Sequence, residues 1–264
     1  MTENSINTLS IREIEEIFSK INNENDPLLV KLKMDSRKGV QSLLDRWYKQ
    51  RDLEKKHYMQ YEAMSHYETK ARQMGYHFVA GIDEVGRGPL AGPVVSAAVI
   101  LPENHYILGL NDSKKLTVNK RNQLYKQITD EAVAVGIGII SAKEIDEVNI
   151  LQATKKSMLA ALQNLQVQPD LLLIDAVQLD SIYPEWSIVK GDMNSVSIAA
   201  ASIIAKVTRD QLMTDCESQY PGYGFQEHKG YGTKRHLEAI RQFGPCPIHR
   251  TSFAPIKSLS EERD

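Results

Sequence analysis

From Phe78 onward the chain alternates short apolar segments with amphipathic ones, and this alternation restricts it to an α/β fold. Five apolar segments have the length and composition of buried strands: Val79–Val85, Val94–Leu101, Val133–Ser141, Leu171–Ile174 and Trp186–Val189. Helical segments lie between and after them, at Thr117–Glu131, Lys143–Gln166 (one or two helices), Ser195–Tyr220 and Thr233–Phe243. This order predicts a mixed five-stranded sheet with helices on both sides.

The first 75 residues have a different pattern, which is helical throughout. Apolar residues recur every three to four positions from Ile11 to Ile21 and again from about Asp35 to Met74, with a break at residues 22–27. We therefore expect a small helical N-terminal appendage, residues 1–75, joined to an α/β domain, residues 76–264.

Composition places the chain among ordinary globular proteins, with 25% charged and 42% hydrophobic residues. No apolar stretch approaches the ~20 residues that cross a membrane, and the acidic, amphipathic N-terminus does not resemble a secretory signal. Cys216 and Cys246 form neither a metal-type spacing nor a disulfide framework. We expect a cytoplasmic protein with no membrane attachment.

The net charge of −2 does not by itself indicate a nucleic-acid partner. Proteins that hold nucleic acid through bulk positive charge are usually basic. An enzyme that gathers acidic metal ligands can still bind phosphate locally through a few cations and its metals. The motifs therefore have to decide the function.

Two adjacent acids, Asp83 and Glu84, stand at the end of the first strand, before the glycine- and proline-rich loop Gly86–Pro93. Carboxylates at a strand end are costly unless they are paired, protonated or metal-bound. Because consecutive strand residues point to opposite faces, the two acids can share a site only if the strand twists or breaks there. The alternative is that one acid caps the loop and the other is solvated.

Two further acids follow later strands. Asp175 ends the strand Leu171–Ile174, and Asp192 follows Trp186–Val189 just before a helix. Alone, Asp175 could form an Asx turn and Asp192 could cap the helix. A layered α/β sheet, however, tends to bring such strand ends together. Oxygen ligands without His or Cys favour Mg²⁺ or Mn²⁺, and two such ions suit phosphoryl chemistry.

Three segments have features of a nucleic-acid substrate site. Gly86-Arg87-Gly88 lets a ligand approach the backbone closely, although a simple turn is the alternative. Lys114 and its neighbour Lys115 are candidate phosphate contacts, a weak signal because lysine pairs are usually solvated. Tyr231 lies between glycines before a helix and could stack on a sugar or base, or could be half-buried. His228 is a candidate general base or an exposed loop histidine.

Taken together, these segments resemble the bacterial type 2 ribonuclease H family. The shared segments are GIDEVGRGPLAGPV, NDSKKL, LLLIDAVQL, GDMNSVSIAAASIIAKVTRD and HKGYGT, in the family's order over about residues 76–256. The resemblance implies a ribonuclease H-like sheet and an endonuclease that cleaves the RNA strand of RNA–DNA hybrids. It also implies nicking of duplex DNA on the 5′ side of embedded ribonucleotides, leaving a 5′-phosphate and a 3′-hydroxyl. Two divalent ions, Mn²⁺ or Mg²⁺, would take part, and no obligate protein partner is implied.

The resemblance also assigns roles to residues. It implies that Asp83, Glu84, Asp175 and Asp192 are catalytic and metal-binding, with Asp192 either a further ligand or an electrostatic partner of the second ion. Gly86, Arg87 and Gly88 would recognise the ribose 2′-hydroxyl, and Tyr231 would pack on the adjacent deoxyribose. Lys114, Ser202 and Lys206 are further candidates for phosphate contacts or for support of the acids.

Three alternatives remain at the level of sequence. Another carboxylate nuclease of ribonuclease H-like topology, such as a resolvase or transposase core, would need no 2′-hydroxyl. A non-catalytic hybrid-binding module would tolerate loss of Asp83. The third alternative is that Gly86–Gly92 forms a nucleotide-phosphate loop, against which stands the absence of the GxxxxGK[ST] pattern from this segment. The family motifs do not extend to residues 1–75, for which we expect a duplex-binding role.

Overall fold

The structure, a computed structural model, describes residues 9–103 and 106–261. By its internal contacts the chain divides into two compact units, Met1–Met59 and Gln60–Asp264. This division falls earlier in the chain than residue 75, and the boundary at residue 75 stays a prediction. No helix in the described part of the chain is both long and apolar enough to cross a bilayer.

The smaller unit is helical, as expected. It contains α1 (Ile11–Phe18), α2 (Pro27–Lys33) and most of α3 (Lys38–Met64). Ser10 begins α1 with a capping box. α2 was not expected, because residues 22–27 have the composition of a break. Asp26 caps it, and Pro27 occupies its first turn, where the missing N–H of proline does no harm.

The long helix expected from Asp35 to Met74 is instead two helices, α3 and α4 (His66–Gln73), separated at Ser65. The Ser65 hydroxyl donates to the carbonyl of Tyr61 at 2.7 Å, a contact that often bends helices. α4 belongs to the larger unit, where Ala71 is fully buried in an apolar cluster with strand residues such as Leu171. The last turns of the expected appendage are therefore part of the sheet's own core.

The larger unit is built on the mixed five-stranded sheet that the sequence predicts. Its strands are β1 (Val79–Val85), β2 (Val94–Ile100), β3 (Ala134–Ile140), β4 (Leu171–Asp175) and β5 (Glu185–Ile188). They lie in the order β3-β2-β1-β4-β5. The pairs β1–β2 and β2–β3 are antiparallel, and β1–β4 and β4–β5 are parallel.

Helices cover both faces of this sheet. The helices that follow β2 are α5 (Val118–Glu131), α6 (Ala142–Val148), α7 (Ile150–Gln163), α8 (Gly191–Asn194), α9 (Val196–Gln219), α10 (Phe225–His228), α11 (Lys234–Phe243) and α12 (Ile256–Glu261). The last three pack with one another, with Leu90 and with the second half of α9. Side chains alternate along β2: Ala97 packs with α9 and α5, whereas Ala98 packs with α7. Gly81 of β1 lets α9 approach closely, because a Cβ there would lie 2.0 Å from the carbonyl carbon of Ser197.

Candidate active site

The carboxyl ends of β1 and β4 lie side by side. The two strands are parallel and in register, with Ile82 opposite Ile174, so Asp83 and Asp175 are the next residues on neighbouring strands. Parallel strands expose their carboxyl ends at one edge of a sheet, where α/β proteins place ligands. The topology therefore brings together two acids that are 92 positions apart in sequence (175 − 83).

Asp83 is buried and held from two sides. One of its oxygens, Oδ1, accepts a 2.8 Å hydrogen bond from the backbone amide of Glu84, and the Ser202 side chain of α9 also hydrogen-bonds it. Ser202 in turn shares a 2.9 Å hydrogen bond with the Ser113 hydroxyl. Ser202 therefore lies between the acid and the NDSKKL segment, consistent with the supporting role that the resemblance implies.

Glu84 lies beside Asp83 without a break in the strand. β1 remains paired with β2 through Glu84 and Val85, so of the two possibilities, a twist or a break, the strand is not broken between the acids. Glu84 Oε1 accepts a 3.1 Å hydrogen bond from Arg87. Its second oxygen, Oε2, is buried and has no hydrogen-bond partner among the described residues.

Asp175 and Asp192 approach from β4 and from α8. Asp175 Oδ1 accepts a 2.7 Å hydrogen bond from the amide of Gly191, the first residue of α8. Asp192 lies in the first turn of α8 and does not cap α9, because Ser195 fills that position and accepts from Ile198. The helix-cap explanation for Asp192 is therefore wrong, and Asp175 contacts a distant amide instead of a local turn.

The four acids lie close enough for their charges to interact. Burial raises the pKa of Asp83 well above its ordinary value, and the charges of Glu84 and Asp175 raise it further. Burial also raises the pKa of Glu84, against the opposing effect of Arg87. Burial raises the pKa of Asp192, with added effects of Asp112 and Asp175.

Their arrangement in the structure is crowded but not that of a formed metal site. Across residues 9–103 and 106–261, no group of three or more His, Cys, Asp or Glu side chains is placed to hold a metal ion. The donor chemistry nevertheless suits a hard cation, since every donor of the four acids is oxygen and Glu84 Oε2 is buried without a partner.

The two glycines of the GRG segment differ in whether the backbone geometry requires glycine. Gly86 has a φ of +94°, and a Cβ on it would lie 2.2 Å from Arg209 Nε, so the fold itself requires glycine there. Gly88 has no left-handed φ, and a Cβ built on it would meet no atom of the described residues within 4 Å. The fold does not explain Gly88, and it leaves room for a ligand to approach the backbone.

Tyr231 is presented next to this loop. The residue is 42% exposed, and its turn is tied to the Gly86–Pro93 loop by a 2.8 Å hydrogen bond from Leu90 N to Gly230 O. His228 Nδ1 accepts from Gly230 N at 3.2 Å, and its Nε2 lies 2.8 Å from the carbonyl of Tyr223. Both ring nitrogens are engaged, so His228 is poorly suited to be a general base.

The lysine candidates occupy different surroundings. Lys114 is exposed, and its charge acts on Asp192, which places the NDSKKL segment beside the acids. Lys206 donates to Asp210 at 2.7 Å, so it is an ion-paired residue of α9 in this structure.

Comparison with known proteins identifies the family. A family model described as "Ribonuclease HII" matches residues 80–256, and one described as "Ribonuclease HII N-terminal domain" matches residues 10–72. The chain belongs to the ribonuclease HII family.

Individual relatives agree with this assignment. A "Ribonuclease HII" of Bacillus mycoides is 55% identical over 96% of this chain and 99% of its own length. The crystal structure of the ribonuclease H2 from Pyrococcus horikoshii superposes with a TM-score of 0.61 at 28% identity, covering 70% of this chain and 97% of that one. The structure of Bst-RNase HIII in complex with Mn²⁺ shares the fold, with a TM-score of 0.54 at 20% identity over 73% of this chain and 72% of that one.

The predicted fold and enzyme class are thereby confirmed. The protein is an endoribonuclease of the ribonuclease HII family, which cleaves the RNA strand of RNA–DNA hybrids. The match over residues 10–72 shows that the helical N-terminal region is itself a family feature, which the motifs of residues 76–256 did not indicate.

The sequence analysis missed four charged residues around the site. Asp112, whose charge raises the pKa of Asp192, belongs to the NDSKKL segment and could have been found there. The others are Glu68, Arg209 and Arg250, which are buried. Arg209 could have been found because it is a charged residue within an apolar helical stretch. No feature of the sequence indicated that Arg250 is buried.

Proposed function

We propose that the protein nicks duplexes at ribonucleotides, hydrolysing the phosphodiester on the 5′ side and leaving a 5′-phosphate and a 3′-hydroxyl. The observation that carries this proposal is the convergence of acids at the ends of β1 and β4, next to a loop that exposes backbone at Gly88. The substrates would be RNA–DNA hybrids and duplex DNA that contains ribonucleotides.

Divalent cations, Mn²⁺ or Mg²⁺, would be held by Asp83, Glu84 and Asp175, with Asp192 as a further ligand or electrostatic partner. Oxygen-only donors, the crowding of like charges and the unpartnered Glu84 Oε2 support this assignment. Two bound ions would supply the positive charge that makes water nucleophilic and stabilises the leaving oxygen. The Mn²⁺ bound by Bst-RNase HIII is consistent with this choice of metal.

The chain's own residues would position the substrate. The open backbone at Gly88, with Gly86 and Arg87, would recognise the 2′-hydroxyl, the group that distinguishes RNA from DNA at a single position. Arg87 is exposed and hydrogen-bonded to Glu84, so it lies between the acids and the solvent. Tyr231 would pack on the next deoxyribose, and Lys114 would contact a phosphate.

The smaller unit would add duplex-binding surface. This part of the proposal is motivated by exposed basic and aromatic side chains on α3, among them Lys49, Lys56 and Tyr58. We also propose a cytoplasmic location, in which the free thiols Cys216 and Cys246 would stay reduced.

The test is a nicking assay on three otherwise identical duplexes: all DNA, DNA with one ribonucleotide, and a full RNA–DNA hybrid. We expect wild-type protein with Mg²⁺ or Mn²⁺ to cut the second and third but not the first, and Asp83→Asn to cut none. The matched control is Asp180→Asn, which removes an exposed acid five residues beyond Asp175 and should leave cleavage unchanged. Cleavage of the all-DNA duplex would favour a resolvase-like nuclease, and full activity of Asp83→Asn would refute the assignment of the acids.

A further inference from the structure

Two segments that would contact substrate are joined by a backbone hydrogen bond. We call residues 86–93 the GRG loop and residues 229–231 the tyrosine turn. Leu90 N donates to Gly230 O at 2.8 Å, and Arg250 N donates to Leu90 O at 2.9 Å. Only the first of these bonds runs directly between the two segments, and side chains add further contacts between them.

Arg209 of α9 bridges the two segments. Its guanidinium donates to three carbonyls: Nε to Pro93 at 2.9 Å, Nη2 to Ala91 at 3.1 Å and Nη1 to Lys229 at 2.9 Å. The first two belong to the GRG loop and the third to the tyrosine turn. One fully buried side chain thus fixes the distance between the two segments.

Arg250 holds the GRG loop from the other side. Its Nη1 donates to the Arg87 carbonyl at 2.8 Å, and its Nη2 donates to Gly86 at 2.5 Å and to Gly92 at 2.8 Å. Nε also donates to Gly92, at 3.0 Å. The guanidinium lies 5.0 Å from the centre of the Phe253 ring. Arg250 therefore closes the loop at both ends.

These contacts are unusual because neither buried arginine forms an ion pair with a described carboxylate. Removing a cation from water is costly, and burial lowers the pKa of both side chains, as expected for that cost. The planar guanidinium spreads its donors over three nitrogens in a fixed fork and can reach carbonyls on different sides, whereas the three donors of a lysine ammonium lie on one nitrogen. The arrangement serves loop geometry more than net stability.

We propose that Arg209 and Arg250 are positioning residues: Arg209 sets the spacing between the GRG loop and the tyrosine turn, and Arg250 fixes the shape of the GRG loop. Together they would set the selectivity for a ribonucleotide followed by a deoxyribonucleotide. The inference rests on the proposed function, in which those segments read the ribose and the adjacent deoxyribose. A displacement of about 1 Å in such segments can lower a rate by about 100-fold.

The experiment compares Arg209→Lys and Arg250→Lys with wild type on two substrates, a DNA duplex with one ribonucleotide and a continuous RNA–DNA hybrid. The measured quantity is the substrate ratio, kcat/KM for the duplex with one ribonucleotide divided by kcat/KM for the hybrid. We expect this ratio to fall by about tenfold or more. The Mn²⁺ affinity, measured by calorimetry without substrate, should stay unchanged. The control, Arg72→Lys, alters a partly buried arginine whose partner is Glu103, on neither segment, and should leave the ratio unchanged.

A double-mutant cycle tests whether the arginine acts through the loop. If it does, Arg250→Lys combined with Gly88→Ala should lower the ratio by less than the product of the single effects.

Should Arg250→Lys fail to fold, Phe253→Leu replaces it, because that change removes only the ring beside the guanidinium. We expect a smaller fall of the ratio in the same direction.

The outcomes separate this inference from the proposed function. If the wild type does not nick beside a ribonucleotide, the proposed function fails. If it does, but the lysine variants (or Phe253→Leu) lower only the melting temperature and keep the substrate ratio, the arginines are structural and the inference is overturned.

Discussion

Ser195 donates a 2.5 Å hydrogen bond from Oγ to Oε1 of Glu68, which ties α4 to the beginning of α9. The same oxygen accepts from the amide of Ser197 at 3.0 Å. Ser195 also caps α9, immediately after the short helix that carries Asp192. A buried acid from the N-terminal region therefore supports the part of the fold that places one of the four site acids.

Removing this acid should destabilise the protein. We expect Glu68→Ala to lower the free energy of unfolding by about 1–3 kcal/mol, because the donors of Ser195 and Ser197 lose their buried acceptor. Glu68→Gln keeps one oxygen acceptor and should lose less. Urea denaturation measures both, with Glu62→Gln, an exposed acid, as the control. Equal stability of Glu68→Ala and wild type would contradict the role of this contact.

The same residue predicts a pH dependence. Burial raises the pKa of Glu68 above its ordinary value of 4.5. As the pH rises through 4.5 the unfolded chain loses this proton first, so wild type loses stability relative to Glu68→Gln, which does not titrate. The difference in unfolding free energy should therefore move in favour of Glu68→Gln between pH 4 and pH 7. A constant difference over that range would show that Glu68 titrates normally.

Truncation should distinguish the two possible boundaries. A chain that begins at Gln60 keeps the buried residues Tyr61, Met64, Glu68 and Ala71 of the larger unit. A chain that begins at Tyr76 loses all four and should melt well below it. Differential scanning calorimetry measures this, and equal melting temperatures would support the boundary at residue 75.

Fluorescence anisotropy with a labelled hybrid should also show weaker binding by the chain from Gln60 than by the full chain; equal binding would refute a duplex-binding role for residues 1–59.

The crowded acids predict opposite effects on stability and activity. Without divalent cations, Asp83→Asn should raise the melting temperature, because it removes a buried charge that interacts unfavourably with Glu84 and Asp175. Cleavage should fall by at least about 100-fold. Added Mn²⁺ should stabilise wild type and Asp180→Asn but have little effect on Asp83→Asn. A lower melting temperature for Asp83→Asn in chelator would argue against charge crowding.

Gly86 and Gly88 should respond differently to the same substitution. Gly86→Ala should destabilise the fold, because its φ is +94° and the new Cβ would collide with Arg209. Gly88→Ala should keep the wild-type melting temperature, because a Cβ there meets open space, yet it should lose cleavage beside a ribonucleotide. Melting curves and nicking rates measured together test the pair. Unimpaired cleavage by Gly88→Ala would remove Gly88 from the substrate site.

Much of the fold could be predicted from local pattern. The strand Val79–Val85 was predicted with the bounds that the structure has, and the helical segment Thr117–Glu131 corresponds to α5 together with its cap, Thr117. Apolar periodicity and capping residues act over a few positions, so a single sequence displays them directly. The placement of Asp83 and Asp175 at strand ends follows from the same information, and the family motifs identified the enzyme class.

Contacts between distant residues were decided only by the tertiary structure. Glu68 and Ser195 are 127 positions apart, and Arg250 and Gly86 are 164 apart. Nothing in the local pattern distinguishes a buried charge with a distant partner from a solvated one, because its stability depends on carbonyls and hydroxyls brought by other elements. The sequence by itself therefore determined the strands, the acids at their ends and the family, whereas folding decided which buried charges support them.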